Sequence, residues 1–377
     1  MSETRWYKIT PGDSWFFCDS RSANAGEDQS DLQSIFPPYP QTVVGAIRAA
    51  LARSLGWERG NWDEAMKAKL GDGFDDVSPL RFTSPMLAIK CEKSFPQREL
   101  QLLFQPPMHL IGTRHIESGD SGSPLPTFDP LDWLRPSSDP FMTDMGSIHL
   151  PLFPVSGDAD NRRLRTADDF FITTSGMQSV LDGNKPDKTE LIHQSRLFAM
   201  ENRIGINREA DARSIYSPGH VRLFDGVSLV IGVDGLSDDI ELPLTFPLGG
   251  ESRQAVCERL RQAPVRPQSR SGTCVVLTTA ARWLNRWYGV HSGGSATGLH
   301  PSFGSKVTTC AVGRPTRIGG FDSRTGRSQT LQAYAPAGSV WWLDESVSLP
   351  EDTWCLSLGE RTSLGYGTAL LAREPVK

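Results

Sequence analysis

Residues 201–208 read Glu-Asn-Arg-Ile-Gly-Ile-Asn-Arg, followed by Glu209, Asp211, Arg213 and the turn Tyr216-Ser217-Pro218-Gly219. Arginines alternate here with small, apolar and amide residues, so the stretch has neither the period of an amphipathic helix nor the clean alternation of a half-buried strand. It predicts a structured loop offering hydrogen-bond donors, either a solvated connection between strands or a binding loop. Its flanks set the fold. On the C-terminal side, Val221–Phe224 and Val227–Ile231 bracket Asp225-Gly226, a two-residue hairpin signal. On the N-terminal side, Leu164–Phe198 is patterned as helix, with Thr166 or Asp168 as N-caps and a break at Asp182-Gly183-Asn184.

Further out, Trp6–Ile9 and Trp15–Cys18 are aromatic-rich runs separated by Pro11-Gly12-Asp13, a strand, turn, strand pattern. Phe36-Pro37-Pro38-Tyr39-Pro40 stiffens the approach to a helix starting near Gln41-Thr42, with Val44, Ile47, Leu51 and Leu55 on one stripe and Gly56 at its end. Gly45 inside that helix costs about 1 kcal/mol relative to Ala, which points to a close approach by a strand or by RNA. Arg48, one turn on, is either a surface charge or a phosphate ligand. A second helix is expected over Trp62–Leu70, strands over Leu80–Cys91 and Glu99–Phe104, and a long exposed loop over 117–139. The C-terminal half is β throughout, with strands near 274–279, 306–312, 331–334, 340–343 and 368–371. The expectation is an α+β protein of two ferredoxin-like (RRM-like) domains, residues 1–163 and 223–377, with long loops and an inserted, partly helical segment at 164–222 carrying the arginine-rich loop.

The chain has 377 residues, 38% hydrophobic and 22% charged, with 35 glycines and 27 prolines, which suits a loop-rich globular protein with real cores. Its formal net charge is −5, yet residues 251–327 hold eleven arginines and Lys306 against Glu251, Glu258 and Asp322, a local +9 that leaves −14 for the other 300 residues. Such a distribution can lay one face on phosphates and acidic faces on protein neighbours. The N-terminus lacks a basic patch followed by an apolar core, and no apolar run approaches 18 residues, so a cytoplasmic protein is expected. Six scattered cysteines lack metal-ligand spacing, and most are read as small core residues.

Enzyme signatures are weak. Gly119-Asp120-Ser121-Gly122-Ser123-Pro124 has the look of a serine-protease nucleophile loop, but no histidine precedes His109, so the chain order of that family is wrong. Gly73-Phe74-Asp75-Asp76 sits at a helix end and reads as a C-terminal turn. His109, His115, His149, His193, His220, His291 and His300 qualify as acid–base groups by type only, with no paired Tyr or Lys pattern.

Taken in order, Phe36-Pro37-Pro38-Tyr39-Pro40 with Thr42, Gly45-Ala46 and Arg48, the 201–208 octet, Leu248-Gly249-Gly250-Glu251-Ser252-Arg253, Ile318-Gly319-Gly320-Phe321, Gly338-Ser339-Val340 and Leu364-Gly365-Tyr366-Gly367 resemble one CRISPR family. It is the RAMP-type subunit, similar to the Cas5-like group, that caps the crRNA 5′ tag in type III-B (Cmr) effector complexes. The resemblance implies two ferredoxin-like folds, no catalytic or metal residue and no cofactor. It implies contacts with the crRNA 5′ tag, the large polymerase-domain subunit and a RAMP backbone subunit. The RNA-binding residues would be Arg48, Asn202, Arg203, Gly205, Arg208, Gly249, Gly250, Ser252, Arg253, Arg317, Gly319 and Gly320, the glycines letting backbone N–H groups reach phosphates. Leu358-Gly359-Glu360-Arg361 departs from the pattern by placing an acid before the closing glycines, which weighs against RNA contact there. A metal-independent RAMP endoribonuclease and a pure protein-interaction module are the competing expectations.

Overall fold

The computed structural model describes residues 4–18, 31–90, 100–118, 124–143, 146–154, 163–207, 214–283, 307–322, 326–351 and 353–375. Strand β1 (Arg5–Pro11) precedes helices α1 (Pro40–Ser54) and α2 (Glu64–Leu70), then β2 (Met86–Lys90) and β3 (Leu100–Phe104). Pro40 opens α1, where its missing N–H costs nothing, and Val43, Val44, Ile47, Ala50 and Leu51 form the buried stripe. Gly45, however, is exposed with no atom within 4 Å of an added Cβ, so no strand makes the expected close approach. Asp63 caps α2 by accepting from the Met66 N–H at 2.8 Å, and Gly71 ends it at φ +86°.

The loop expected over 117–139 is instead mostly a hairpin, β4 (Leu110–Ser118) with β5 (Pro124–Trp133). β5 lies at the edge of its three-stranded sheet, where Pro124, Pro126 and Pro130 are tolerated because a missing donor can face outward. The helical pattern read over 164–198 also resolves differently, as β6 (Phe170–Thr173), one eight-residue helix α3 (Thr174–Leu181) and β7 (Leu191–His193). Phe170-Phe171-Ile172 is buried on both faces, and tertiary burial rather than the 3.6 period governs it. The N-cap is Thr173, whose hydroxyl accepts from the Gly176 N–H at 3.1 Å.

Of the arginine-rich octet, Glu201-Asn202 and Gly205–Asn207 are strand rather than loop, Arg203-Ile204 link them, and Arg208 lies outside the described residues. β8 (Phe198–Asn202) and β9 (Gly205–Asn207) both pair antiparallel with β10 (Ser214–Leu223), with Glu201 opposite His220 and Gly205 opposite Tyr216. Its backbone conformation is set by the β10 ladder, which side-chain alternation within the octet does not reveal.

Next come β11 (Val227–Asp234), β12 (Thr245–Pro247) and β13 (Gln254–Arg259). The first large sheet runs β7-β6-β3-β2-β11-β1-β13-β12. Within it β13-β1-β11-β2 are each antiparallel to their neighbours and lie in the sequence order 4-1-3-2, with α1 crossing between the first and second of these strands. The connection 235–253 holds no helix. β11, β12 and β13, which follow the boundary expected at 222/223, are thus strands of this first sheet, with the apolar strand β11 inserted between β1 and β2.

The second sheet is built from β14 (Ser271–Leu277), β15 (Val307–Ala311), β18 (Val340–Ser348), β19 (Leu356–Ser357) and β20 (Thr368–Ala372), while β16 (Thr316–Asp322) and β17 (Arg327–Tyr334) form a separate hairpin. Its order is β15-β18-β14-β20-β19, so β20-β14-β18-β15 repeats the antiparallel 4-1-3-2 arrangement. Alternation along the strands sorts the core. Tyr7, Ile9, Leu229 and Ile231 share one cluster with the α1 stripe, and Trp6, Ala88, Leu102 and Val230 share another with Val276, Trp342 and Leu370 of the second sheet. The first sheet is thus covered by α1 on one face and by the second sheet on the other.

Candidate nucleic-acid interface

The short segment leading into α1 is where the separate sequence motifs meet. Phe36 packs edge-on against Phe198 of β8, with ring centroids 4.7 Å apart, and stacks on Phe17 at 6.3 Å. The Tyr39 hydroxyl donates to the Arg317 carbonyl at 3.4 Å. Gln41, buried in the first turn of α1, donates through Nε2 to the Gly319 carbonyl and accepts at Oε1 from the Tyr366 hydroxyl at 2.6 Å. The octet hairpin, the Gly319-Gly320 strand and the closing Leu364–Gly367 turn are thereby held around one helix end. A Cβ on Gly320 would stand 3.0 Å from Gln41 and 3.1 Å from Phe74, so the glycine permits this packing.

The Leu248–Arg253 loop docks on the same side through Phe16. Gly249 takes φ +82°, and an added Cβ would lie 2.5 Å from the Phe16 carbonyl. That carbonyl accepts the Gly250 N–H at 2.7 Å, so this donor is spent within the protein rather than on a phosphate. Glu251 and Ser252 follow at φ +55° and +54°, a left-handed pair that the loop's internal bonds hold in place. Phe16 stacks on His220 at 5.7 Å. His220 is fully buried, its Nδ1 3.1 Å from Ser14 Oγ and its Nε2 2.9 Å from Glu251 Oε2. Burial lowers its pKa, with the Arg253 charge adding to the shift and Glu251 opposing it. The Ser14–His220–Glu251 row has the residue types of a hydrolase triad, but serine and histidine are both closed to solvent, and it joins the loop to β10.

Arg203 and Arg222 form a four-membered charge network with Asp13 and Glu201. Arg203 Nη2 lies 2.8 Å from Asp13 and 3.4 Å from Glu201. Arg222 lies 2.9 Å from Asp13 and grips both Glu201 oxygens, through Nε and, at 3.1 Å, through Nη2. The Arg203 hydrogen bond leads in holding Asp13 below its ordinary pKa, and the Arg222 bond does the same for Glu201. Asp13 and Arg222 had no signal as site residues. Asp13 sits in a turn 190 positions before Arg203, and Arg222 in a segment patterned simply as strand.

Arg48 is not displayed to a ligand. It is 7% exposed, its guanidinium donates to the carbonyls of Leu70, Gly73, Gly71 and Asp76 at 2.7, 2.7, 2.8 and 3.3 Å, and it lies over the Trp62 ring at 5.1 Å. The phosphate-ligand alternative is corrected: Arg48 caps the C-terminal end of α2, where the last carbonyls lack partners.

The family model for CRISPR-associated protein (Cas_Cmr3) matches residues 7–374. The chain belongs to the Cmr3 family. As a Cmr3-family protein it is a RAMP-type subunit of type III-B CRISPR systems. No curated protein matches it. Among solved structures it is similar to a chain of a type III-B Cmr-beta complex bound to cognate target RNA and AMPPnP, with 13% identity, 89% of this chain and 86% of that chain covered and a TM-score of 0.45. It is also similar to chains of a Csm1-Csm4 cassette with AMPPNP (13% identity, 99% of both chains, TM-score 0.36) and of a type III-A Csm3-Csm4 subcomplex (9% identity, 99% of both chains, TM-score 0.37).

In this Cmr3-family chain the remaining site candidates are scattered in environment. Asn202 is exposed at the end of β8, Gly205 half-buried at the start of β9, and Ser252 exposed, while Arg208 lies outside the described residues. Arg253 is half-buried and pairs with Glu251 at 3.2 Å. Arg317 is exposed with no ion-pair partner among the described residues. The basic surplus of 251–327 is likewise divided, with Arg259 on Glu241, Arg282 on Glu360 and Arg266 over the rings of Trp6 and Trp354.

Of the histidines, His115 is exposed beside Asp129, His149 bonds the Ser137 carbonyl and His193 the Ser195 hydroxyl, while His291 and His300 lie outside the described residues. His109 is buried between Trp133 and Trp342, neither ring nitrogen is hydrogen-bonded, and burial lowers its pKa to about 3. Cys257, Cys274 and Cys355 are pushed up to about 12 and Cys310 to about 11 by burial, so none is a thiolate at neutral pH. Among the described residues no group of three His, Cys, Asp or Glu side chains could hold a metal ion, and no helix is long and apolar enough to cross a membrane.

Proposed function

We propose that this protein is a non-catalytic, cytoplasmic RNA-binding scaffold of a type III-B effector complex, which binds the crRNA 5′ tag and bridges the large polymerase-domain subunit to a RAMP backbone subunit. The observation that carries the reading is the Cmr3-family match over residues 7–374. The repeated 4-1-3-2 strand order supports assigning both large sheets to ferredoxin-like folds, the first with a loop in place of its second helix. On this reading Asn202, Arg203, Gly205, Arg208, Ser252, Arg253 and Arg317 face the RNA. Gly249, Gly250, Gly319 and Gly320 shape the surface, and Arg48 only stiffens the helix pair beneath it. Asn202, whose exposed amide both donates and accepts, reads a base edge, and Arg317 meets a phosphate. Co-expression with the neighbouring subunits, purification and sequencing of the RNA ends tests this. Recovery of guide RNAs with a uniform 5′ tag, lost when this chain alone is omitted, is the expected result. Recovery of the tag without this chain would refute the capping role, and repeat-RNA cleavage abolished by one histidine-to-alanine change would refute the non-catalytic one.

A further inference from the structure

On β16, whose register with β17 shifts between Ile318 and Gly320, the larger side chains fall on two sides. Ile318 and Asp322 point inward at 1% and 8% exposure, while Arg317 and Phe321 point outward, Phe321 with 63% of its surface free. Opposite Phe321 on β17 stands Ser328, too small to cover the ring, and Leu331 on the same strand is exposed as well. Phe321 enters none of the aromatic contacts found among the described residues. An exposed phenylalanine on a rigid, hydrogen-bonded hairpin invites a partner with an apolar face. Its charged surroundings define that partner. Residues 312–334 contain four arginines against the single acid Asp322, which is buried. Arg314, Arg317 and Arg327 are exposed and lack any ion-pair partner among the described residues. An open ring among unneutralised guanidinium groups is the arrangement that takes single-stranded nucleic acid, the base stacking on the ring and the phosphates meeting the arginines. A protein hot spot would need a wider apolar core than Phe321 and Leu331 supply.

We infer that Phe321 is a stacking platform for one base of single-stranded RNA, with Arg317, four residues away on the same face and about 13 Å along the strand, holding the adjoining backbone. Ile318 anchors the hairpin from below, and the Gln41–Gly319 bond fastens it to α1. The inference rests on the RNA-binding reading and adds to it a base contact that is indifferent to base identity, since every base has a stacking face.

The test uses the purified full chain and eight-nucleotide single-stranded RNAs carrying 2-aminopurine, or an abasic site, at each position in turn. Stacking on Phe321 quenches 2-aminopurine at one position, and Phe321→Ala removes that quench and weakens binding roughly 5- to 150-fold. Phe321→Trp retains both. An abasic site at that position costs the wild type the same factor and Phe321→Ala nothing further, so the wild type with abasic RNA carries the test even if the variant folds poorly. RNA binding unchanged by Phe321→Ala and by every abasic site would overturn the stacking role and leave RNA binding intact. Failure of the wild type to bind any of the RNAs at low salt, alone or with its partner subunits, would overturn both. Loss of a protein subunit from the complex of the Phe321→Ala variant, with RNA affinity unchanged, would reassign the ring to a protein interface.

Discussion

Two arginine-bearing hairpins flank the N-terminal end of α1, and they handle charge in opposite ways. In the β8–β10 hairpin, Arg203 and Arg222 are matched by Asp13 and Glu201, so the cluster is close to neutral. In the β16–β17 hairpin, Arg317 and Arg327 stand exposed without acidic partners among the described residues, beside an uncovered phenylalanine. The number of arginines in a segment therefore says little about its potential, because one turn contributed from a distant part of the chain can cancel it. The arginine charge of the first hairpin is matched within the protein, and that of the second is not matched among the described residues.

The sharpest way to break this contrast is to disturb the loop that locks the first hairpin. Gly249→Val places a branched side chain at φ +82° and 2.5 Å from the Phe16 carbonyl, and should cost about 3–4 kcal/mol in thermal or denaturant unfolding. An unchanged melting temperature would mean the loop is not fastened there. Arg48→Ala leaves the carbonyls at the end of α2 without their donor. A loss of roughly 2–3 kcal/mol is expected, and full stability with weakened RNA binding would restore Arg48 to the ligand set.

The core cluster that contains Trp133 and Trp342, away from both hairpins, supplies a pH test. His109 is neutral when folded, with a pKa of about 3 against 6.5 unfolded, so its contribution is complete above pH 6.5 and is lost as pH falls toward 3. Between pH 6.5 and 5 this amounts to about 2 kcal/mol. Urea melts across that range should show the slope, and His109→Phe should flatten it; the same slope in both proteins would place its origin elsewhere.

The finest discrimination compares the arginines themselves in the reconstituted complex. Arg317→Ala should leave stability untouched and reduce the salt slope of log K for tag RNA by about 0.7. Arg203→Ala, whose charge is already matched, should change that slope less and instead lower stability slightly at low salt, since the pairs it leaves are solvent-screened. Equal slope losses from the two variants would erase the distinction between the hairpins.

What the amino-acid sequence by itself determined was what depends on neighbours along the chain. Pro40 at the head of an apolar stripe makes α1 and Asp63 and Gly71 delimit α2, because each is settled by contacts a few residues long, and Asp225-Gly226 makes its turn, closed by the Val227 N–H on the Phe224 carbonyl, although β10 and β11 then enter different sheets instead of pairing as the expected hairpin. The ordered motifs likewise sufficed to identify the Cmr3 family. Only the tertiary structure decided the rest. Five residues of the octet, Glu201-Asn202 and Gly205–Asn207, became strand because β10 supplied their ladder, Phe170–Thr173 because the core enclosed it, and the proline-rich stretch after residue 123 because it lies at a sheet edge. The insertion of β11 between β1 and β2, and the meeting of Asp13 with Arg203, join residues between 138 and 228 positions apart. No local pattern encodes such pairings, since their free energy arises from burial and charge matching that exist only once the sheet has closed.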